Sequence, residues 1–186
     1  MKHLDQAIQD FNQDVVERAQ RNLGTYRTVI DGRGRRKRRR ADSSGNLRKS
    51  LTFNSRETNR GKIVSFFAQG TASDYANFVE YGVNGTRRKH GAPFSFKGKN
   101  INQEALMQWF KKKPIRMRTF KDGKLGGFAK NTEQARKTAA FLIGRSIAAY
   151  GFAPLNYMRD AMTSALKDWK PIFEEALVKD AQERLK

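Results

Sequence analysis

This 186-residue sequence predicts an α+β fold. Three observations lead there. Apolar residues recur at steps of three and four within the first 24 residues, and again beyond residue 100. Two strand-like runs, Leu47 to Phe53 and Lys62 to Ala68, lie close together between those helical segments. The resulting order of helix, strands, then helices is not the alternation of a βαβ chain. The length suits one domain over 1–186, and the stretch 31–46 reads as an exposed arginine-rich loop within it.

The first element is carried by Leu4, Ile8, Phe11, Val15, Ala19 and Leu23, one apolar stripe on a helix of about six turns. Asp5, Asp10 and Asp14 suit its N-terminal half, Arg18 and Arg21 its last turns, and Gly24 its end. Thr25 to Ile30 is rich in β-branched residues and predicts a short strand. From Arg33 to Arg40, seven of eight residues are cations and none is apolar. Such a run cannot pack, so 31–46 is expected to be a mobile loop or hairpin tip, with turn chemistry at Asp42-Ser43-Ser44-Gly45-Asn46.

Leu47 to Phe53 and Lys62 to Ala68 follow as strands joined by a polar turn at Arg56 to Gly61. The apolar density of the second predicts a strand buried on both faces. Ser73 or Asp74 can cap a short helix that starts near Tyr75, carries Tyr75, Phe78, Val79 and Tyr81, and ends at Gly82. Asn84-Gly85 is a turn signal, and Arg87-Arg88-Lys89 forms a second basic cluster. Ala92 to Phe96 fits a short edge strand with its proline near the start.

Asn100 or Asn102 can cap a helix bearing Ile101, Ala105, Leu106, Trp109 and Phe110, stopped by Pro114. Residues 115–130 read as a basic hairpin or loop. From Thr132 a helix runs through Ala135, Ala139, Leu142, Ile143, Ile147 and Tyr150 to Gly151. A last helix begins after Pro154, with Asn156 as its expected cap. It carries Met158, Met162, Leu166, Trp169, Phe173, Ala176 and Leu177, and Pro171 is expected to bend or restart it.

Composition narrows the function. There is no cysteine, which removes disulfide scaffolds, thiolate metal sites and cysteine nucleophiles. His3 and His90 stand in unrelated contexts, so no histidine metal site is expected. No apolar run approaches the roughly 20 residues of a membrane span, and the N-terminus lacks the apolar core of a secretory signal, which predicts a soluble, cytosolic chain with no membrane partner. Phosphate-loop, dinucleotide and HExxH zinc motifs are missing, and no serine has a matching catalytic histidine. No cofactor or metal is therefore expected. Glu57, Asp74 and Glu80 are the one carboxylate set conceivable for Mg²⁺-dependent nuclease work, and isolated acids beside cations are more often solvated or paired. The expectation is a protein that is not an enzyme.

Net charge is +20, and residues 25–130 contribute +19 of it, against −1 for residues 1–24 and +2 for 131–186. A field of that size asks for a polyanion or acidic partner: DNA, RNA, a membrane surface or an acidic protein ring. Arg33, Arg35, Arg36, Lys37, Arg38, Arg39 and Arg40, with Arg87, Arg88 and Lys89, are the candidate polyanion contacts. Guanidinium forks suit phosphate, and such binding is salt-dependent. No aromatic residue interleaves the run, so backbone contact without base reading is the expectation. Tyr75, Phe78, Glu80 and Tyr81 are candidates for core or subunit packing. A Glu80 charge does not belong in an apolar core, so it should reach solvent, a backbone cap or a neighbouring subunit.

Asp74-Tyr75-Ala76-Asn77-Phe78-Val79-Glu80-Tyr81-Gly82-Val83-Asn84-Gly85-Thr86, followed by Pro93-Phe94-Ser95-Phe96, resembles the "YAxFVExGxxGT … PxSF" signature of tailed-bacteriophage neck proteins of the tail-completion or head–tail joining family. Leu47-Arg48-Lys49-Ser50-Leu51 is similar to that family's "LRxSL", and Arg145-Ser146-Ile147 with Gly151-Phe152-Ala153-Pro154 precedes a terminal helix as in its longer members. Together these cover about residues 45–165. The resemblance implies a small antiparallel sheet packed on a long N-terminal helix and C-terminal helices. It implies a structural virion protein of the phage neck, assembled in the host cytoplasm as a homo-oligomer ring of 6 or 12 copies. Its implied partners are a portal or adaptor protein and a tail terminator or tail tube protein, with genomic double-stranded DNA as a further contact. The arginine block departs from typical members. In a ring it would be multiplied by the copy number, lining a DNA channel or gripping an acidic neighbouring ring. The alternative on charge alone is a free, sequence-nonspecific nucleic-acid-binding protein.

Overall fold

The apolar stripe of α1 (Lys2–Gly24) organises the first part of the chain: Phe11, Val15, Ala19 and Leu23 are buried along it, joined by Ala7 and Val16. The computed structural model describes residues 2–30, 36–39, 45–59, 61–98, 103–112, 118–121, 124–128, 130 and 132–185. They form an α+β protein with a long N-terminal helix, C-terminal helices and a small antiparallel two-stranded sheet. Two compact units are distinguished, one built from Met1–Val29, Arg36–Tyr81 and Pro154–Lys186, the other holding Gly82–Ala153.

In the first unit, α1 packs against α6 (Tyr157–Arg184). Phe11 meets Trp169 and Phe173 edge-on, with ring centroids 6.1 and 5.4 Å apart, geometry that aromatic quadrupoles favour. A polar clasp lies beside them. Arg18 donates to both Asp14 oxygens at 2.9 and 3.0 Å and to Asp168 at 2.7 Å, while the Trp169 indole donates to Asp14 at 2.8 Å. Burial pushes the Asp14 carboxyl upward, but these donors outweigh it and hold the group below its ordinary value. Asn12 is fully buried on the same helix, and neither of its side-chain polar atoms has a partner among the described residues.

The sheet of this unit is the hairpin β3 (Leu51–Thr58) and β4 (Gly61–Ala68), paired from Leu51↔Ala68 to Thr58↔Gly61. Both strands differ from the sequence expectation. Leu47 to Ser50 belongs to a helical turn, α2 (Asn46–Ser50), because Leu47 and Leu51 are four residues apart and both enter one core. The strands also run on through the polar segment expected as a turn, where Glu57 pairs with Lys62 across the ladder and the Thr58 hydroxyl donates to the Gly61 carbonyl at 2.7 Å. Nor is β4 buried on both faces. Val64, Phe66 and Ala68 point inward, whereas Ile63 and Phe67 are 44% and 42% exposed. One face of the ribbon packs on the helices, which restores the alternation of a one-sided sheet. Lys62 also donates to Asp5 at 2.6 Å, tying the hairpin to the start of α1; that hydrogen bond lowers the Asp5 pKa and raises that of Lys62.

A 3₁₀ turn at Gly70–Ala72 leads into α3 (Ser73–Tyr81). β1 (Arg27–Ile30) pairs with β2 (Arg36–Arg39) in a separate two-stranded sheet. Part of the stretch expected as a loop is therefore strand.

The second unit holds a three-stranded sheet of order β6-β5-β9, from β5 (Val83–Asn84), β6 (Phe94–Ser95) and β9 (Gly151–Phe152). β5 runs parallel to β6 and antiparallel to β9. α4 (Gln103–Lys112) meets α5 (Glu133–Tyr150) through Phe110, Leu106, Ala139, Ala140 and Ile143, and β7 (Arg118–Lys121) and β8 (Lys124–Phe128) form the expected basic hairpin. Thr132 caps α5, its hydroxyl accepting from Ala135 N–H at 3.2 Å. Contrary to its periodic position, Leu142 of α5 is exposed; the buried face is Ala139, Ala140, Gly144 and Ala148, small residues that allow close approach. The Asn100 and Asn102 caps and the Pro114 stop lie outside the described residues.

Candidate functional site

Gly82 ends α3 at φ +74°, and from there the signature segment organises two different places. The first is the start of α6. Pro154 and Leu155 bring the chain back beside α3, where Leu155 N–H donates to Val79 O and Asn156 N–H to Glu80 O, both at 3.1 Å. Asn156 takes the cap position at φ +50° but makes no side-chain capping bond, contrary to expectation. The cap comes instead from α3. Glu80, only 6% exposed, accepts from Met158 N–H through Oε2 and from Arg159 N–H through Oε1, both at 3.0 Å. A carboxylate on the first free donors of a helix satisfies groups that have no intrahelical partner and faces the positive end of the helix dipole. Of the alternatives for Glu80, the backbone cap is the one found.

The other signature aromatics separate by environment. Tyr75 packs against the core formed by Leu47, Leu51, Ala72 and Tyr157. Phe78 and Tyr81 are exposed on α3 and are not core residues. Burial drives the Tyr157 phenol far above its usual range, with the nearby Glu80 carboxylate adding to the shift, so it stays protonated.

The second place is the loop 85–92. Asn84, a turn residue by its sequence, is a buried strand residue whose side chain holds the loop together. Its Nδ2 donates to Ala92 O at 2.6 Å and Ser95 Oγ at 3.1 Å, while its Oδ1 accepts from His90 N–H at 2.6 Å and Ala92 N–H at 3.2 Å. The loop then closes over the C-terminal end of α5. Thr86 N–H donates to Ala148 O at 2.9 Å, Arg87 N–H to Ala149 O at 2.7 Å, and the His90 ring donates from Nε2 to Tyr150 O at 2.8 Å. These are carbonyls a helix end leaves without partners. Gly85 and Gly151 permit the crossing: a Cβ on either would lie closer than 3.0 Å to backbone atoms of the other segment, and Gly151 has φ +60°.

Among the described residues, the basic candidates Arg36 to Arg39 and Arg87 to Lys89 therefore stand on built elements. Arg87 and Lys89 are exposed on the pinned loop and Arg88 is half-buried, all next to the negative end of the α5 dipole. Arg36, Lys37, Arg38 and Arg39 form β2, with Arg36 and Arg38 exposed and the Arg38 guanidinium 5.8 Å from the centre of the Tyr26 ring, within cation–π reach. Arg33, Arg35 and Arg40 lie outside the described residues.

No family model, curated protein or solved structure matches this chain. Glu57, Asp74 and Glu80 are not gathered into a metal-binding group; among the described residues the one such cluster is His3, Asp180 and Glu183. There Asp180 accepts from His3 N–H and Leu4 N–H, each at 3.0 Å, and His3 Nε2 lies 2.8 Å from Glu183 Oε1. Burial raises the Asp180 pKa, but the two backbone donors more than offset it and leave the group below its ordinary value. The residues thus latch the start of α1 to the end of α6, as Glu80 latches α3 to the start of α6. No helix among the described residues is long and apolar enough to cross a membrane.

Proposed function

We propose that this chain is a structural component of a tailed-phage neck, joining head to tail as an oligomeric ring, with its basic strand and loop held against DNA or an acidic neighbouring ring. The observation that carries the reading is the signature segment. Asp74 to Thr86, which carries the resemblance, folds as α3, the Gly82 reversal and β5. Within it Glu80 caps the start of α6 and Gly85 leaves room for the backbone around Gly151. Ring assembly gives the +20 charge a use, since each exposed pair such as Arg36 and Arg38 is repeated around the axis and weak interactions add.

Changing Arg35, Arg36, Arg38 and Arg39 together to alanine tests the reading. The expected result is an unchanged circular-dichroism spectrum and melting temperature with defective head–tail joining or loss of packaged DNA. Normal yields of infectious, DNA-filled particles from this variant overturn it. With a short duplex as the ligand, Arg36→Ala plus Arg38→Ala should lower the slope of log K against log salt by up to about 0.9 for each phosphate that is no longer neutralised.

A further inference from the structure

We infer that the free edge of β4, together with the groove beside it, is a docking site for an extended, apolar segment of a partner protein that carries a carboxylate. The register settles which backbone groups are free. Gln69 N–H donates to Ser50 O at 2.9 Å, so the pair 50/69 is a hydrogen-bonded one. Such pairs alternate along an antiparallel ladder, so Phe67/Thr52, Ser65/Asn54 and Ile63/Arg56 are bonded across β3–β4. Lys62, Val64, Phe66 and Ala68 consequently direct their N–H and C=O groups away from β3. The sheet has only these two strands, so that edge has no strand partner among the described residues. An open edge of this kind is a template for one more strand.

Beside the edge lies a groove of about 460 Å³, walled by Phe66 and Ala68 of β4, Ala76 and Tyr81 of α3, and Met162 and Leu166 of α6. Tyr81 and Leu166 are 49% and 51% exposed, large apolar surface for side chains left in water. A strand laid along β4 would place alternate side chains in this groove and the others beside Ile63 and Phe67. The charges select the partner. Arg159 lines the groove, is exposed, and has no ion-pair partner among the described residues, whereas the one carboxylate there, Glu80, is fully engaged by two backbone donors. The site therefore offers a free cation and no free anion. A second copy, itself carrying +20, is the less complementary occupant. This surface uses none of the residues on which the polyanion reading rests.

The test is selection of random ten-residue peptides, displayed on a carrier, against the full chain, followed by fluorescence anisotropy of the enriched peptides. The expected peptides alternate apolar residues, lack proline and carry an aspartate or glutamate. N-methylation of alternate backbone nitrogens should cut affinity at least about tenfold in one alternation and little in the other, since only one set faces β4. Leu166→Asp should abolish binding while the exposed position leaves the melting temperature unchanged, and Arg159→Glu should exchange the preference for a carboxylate for one for lysine. No enrichment, equal binding by Leu166→Asp, or indifference to N-methylation overturns the proposal. Self-association of the free chain that Leu166→Asp abolishes would make the occupant a second copy and overturn it as well.

Discussion

Replacing Glu80 by alanine removes the acceptor for two N–H groups at the start of α6. A hydrogen bond to a charged group contributes about 1.5–3 kcal/mol, and the missing carboxylate also forfeits its interaction with the helix dipole, roughly 0.3–1 kcal/mol. Because Arg159 is exposed, water can recover part of this, which places the cost at about 3 kcal/mol. With a urea slope of about 2 kcal/mol per M, the unfolding midpoint should fall by about 1.5 M. Glu80→Gln keeps one acceptor and should cost less. Glu57→Ala, at an exposed carboxylate, should stay within about 0.5 kcal/mol of the parent. Amide exchange locates the effect: Met158 and Arg159 should be protected in the parent and lose that protection in Glu80→Ala. A variant within about 0.5 kcal/mol of the parent, or unchanged exchange at those two amides, would refute the capping role.

Other perturbations follow from the same packing. Gly85→Ala and Gly151→Ala each force a Cβ into backbone and should destabilise by about 3 kcal/mol in thermal or urea unfolding, whereas Gly91→Ala, open but at φ +69°, should cost only about 1 and Gly98→Ala almost nothing. Asn12→Leu replaces a buried unpartnered amide by an apolar group of similar size and should raise stability by about 1 kcal/mol, so a loss of stability would contradict the burial described. Asp14 and Asp180 have folded pKa values below 3.8, so the unfolded chain takes up protons first. Their contribution is complete above that value and lost as pH falls through the lower folded values; urea midpoints should drop below about pH 4, and the drop should be shallower in Asp14→Asn.

The helices were legible because their cores are periodic. The stripe from Leu4 to Leu23 names Phe11, Val15, Ala19 and Leu23 of the buried face of α1 but misses Ala7, Asn12 and Val16, and Thr132 and Gly151 bound α5 as their chemistry requires. Illegible features depend on partners distant in sequence. Nothing near Ile63 and Phe67 indicates that the ribbon has a single covered face, and the apolar run looks the same either way. Leu47 to Leu51 fits a strand until both leucines are seen to share one core. Asn84-Gly85 carries a genuine turn signal, but Asn84 spends its amide on the loop while its backbone pairs with Gly151 and Ser95. For Glu80 the cost of burying a charge narrowed the choices, and only the return of the chain at Leu155 identified the cap. The arginine run was legible as charge but not as strand, since β2 is held by pairing with β1 rather than by any apolar side chain of its own.

The most direct test of the assembly reading is quantitative mass spectrometry of purified tailed particles from cells that produce this chain, counting it against the major capsid protein. A neck ring predicts a small, fixed copy number per particle, about six or twelve on the resemblance, numbers that closed cyclic symmetry admits. Absence from the particles, with the chain recovered on intracellular nucleic acid, would contradict that reading and leave a free, charge-driven nucleic-acid binder in its place.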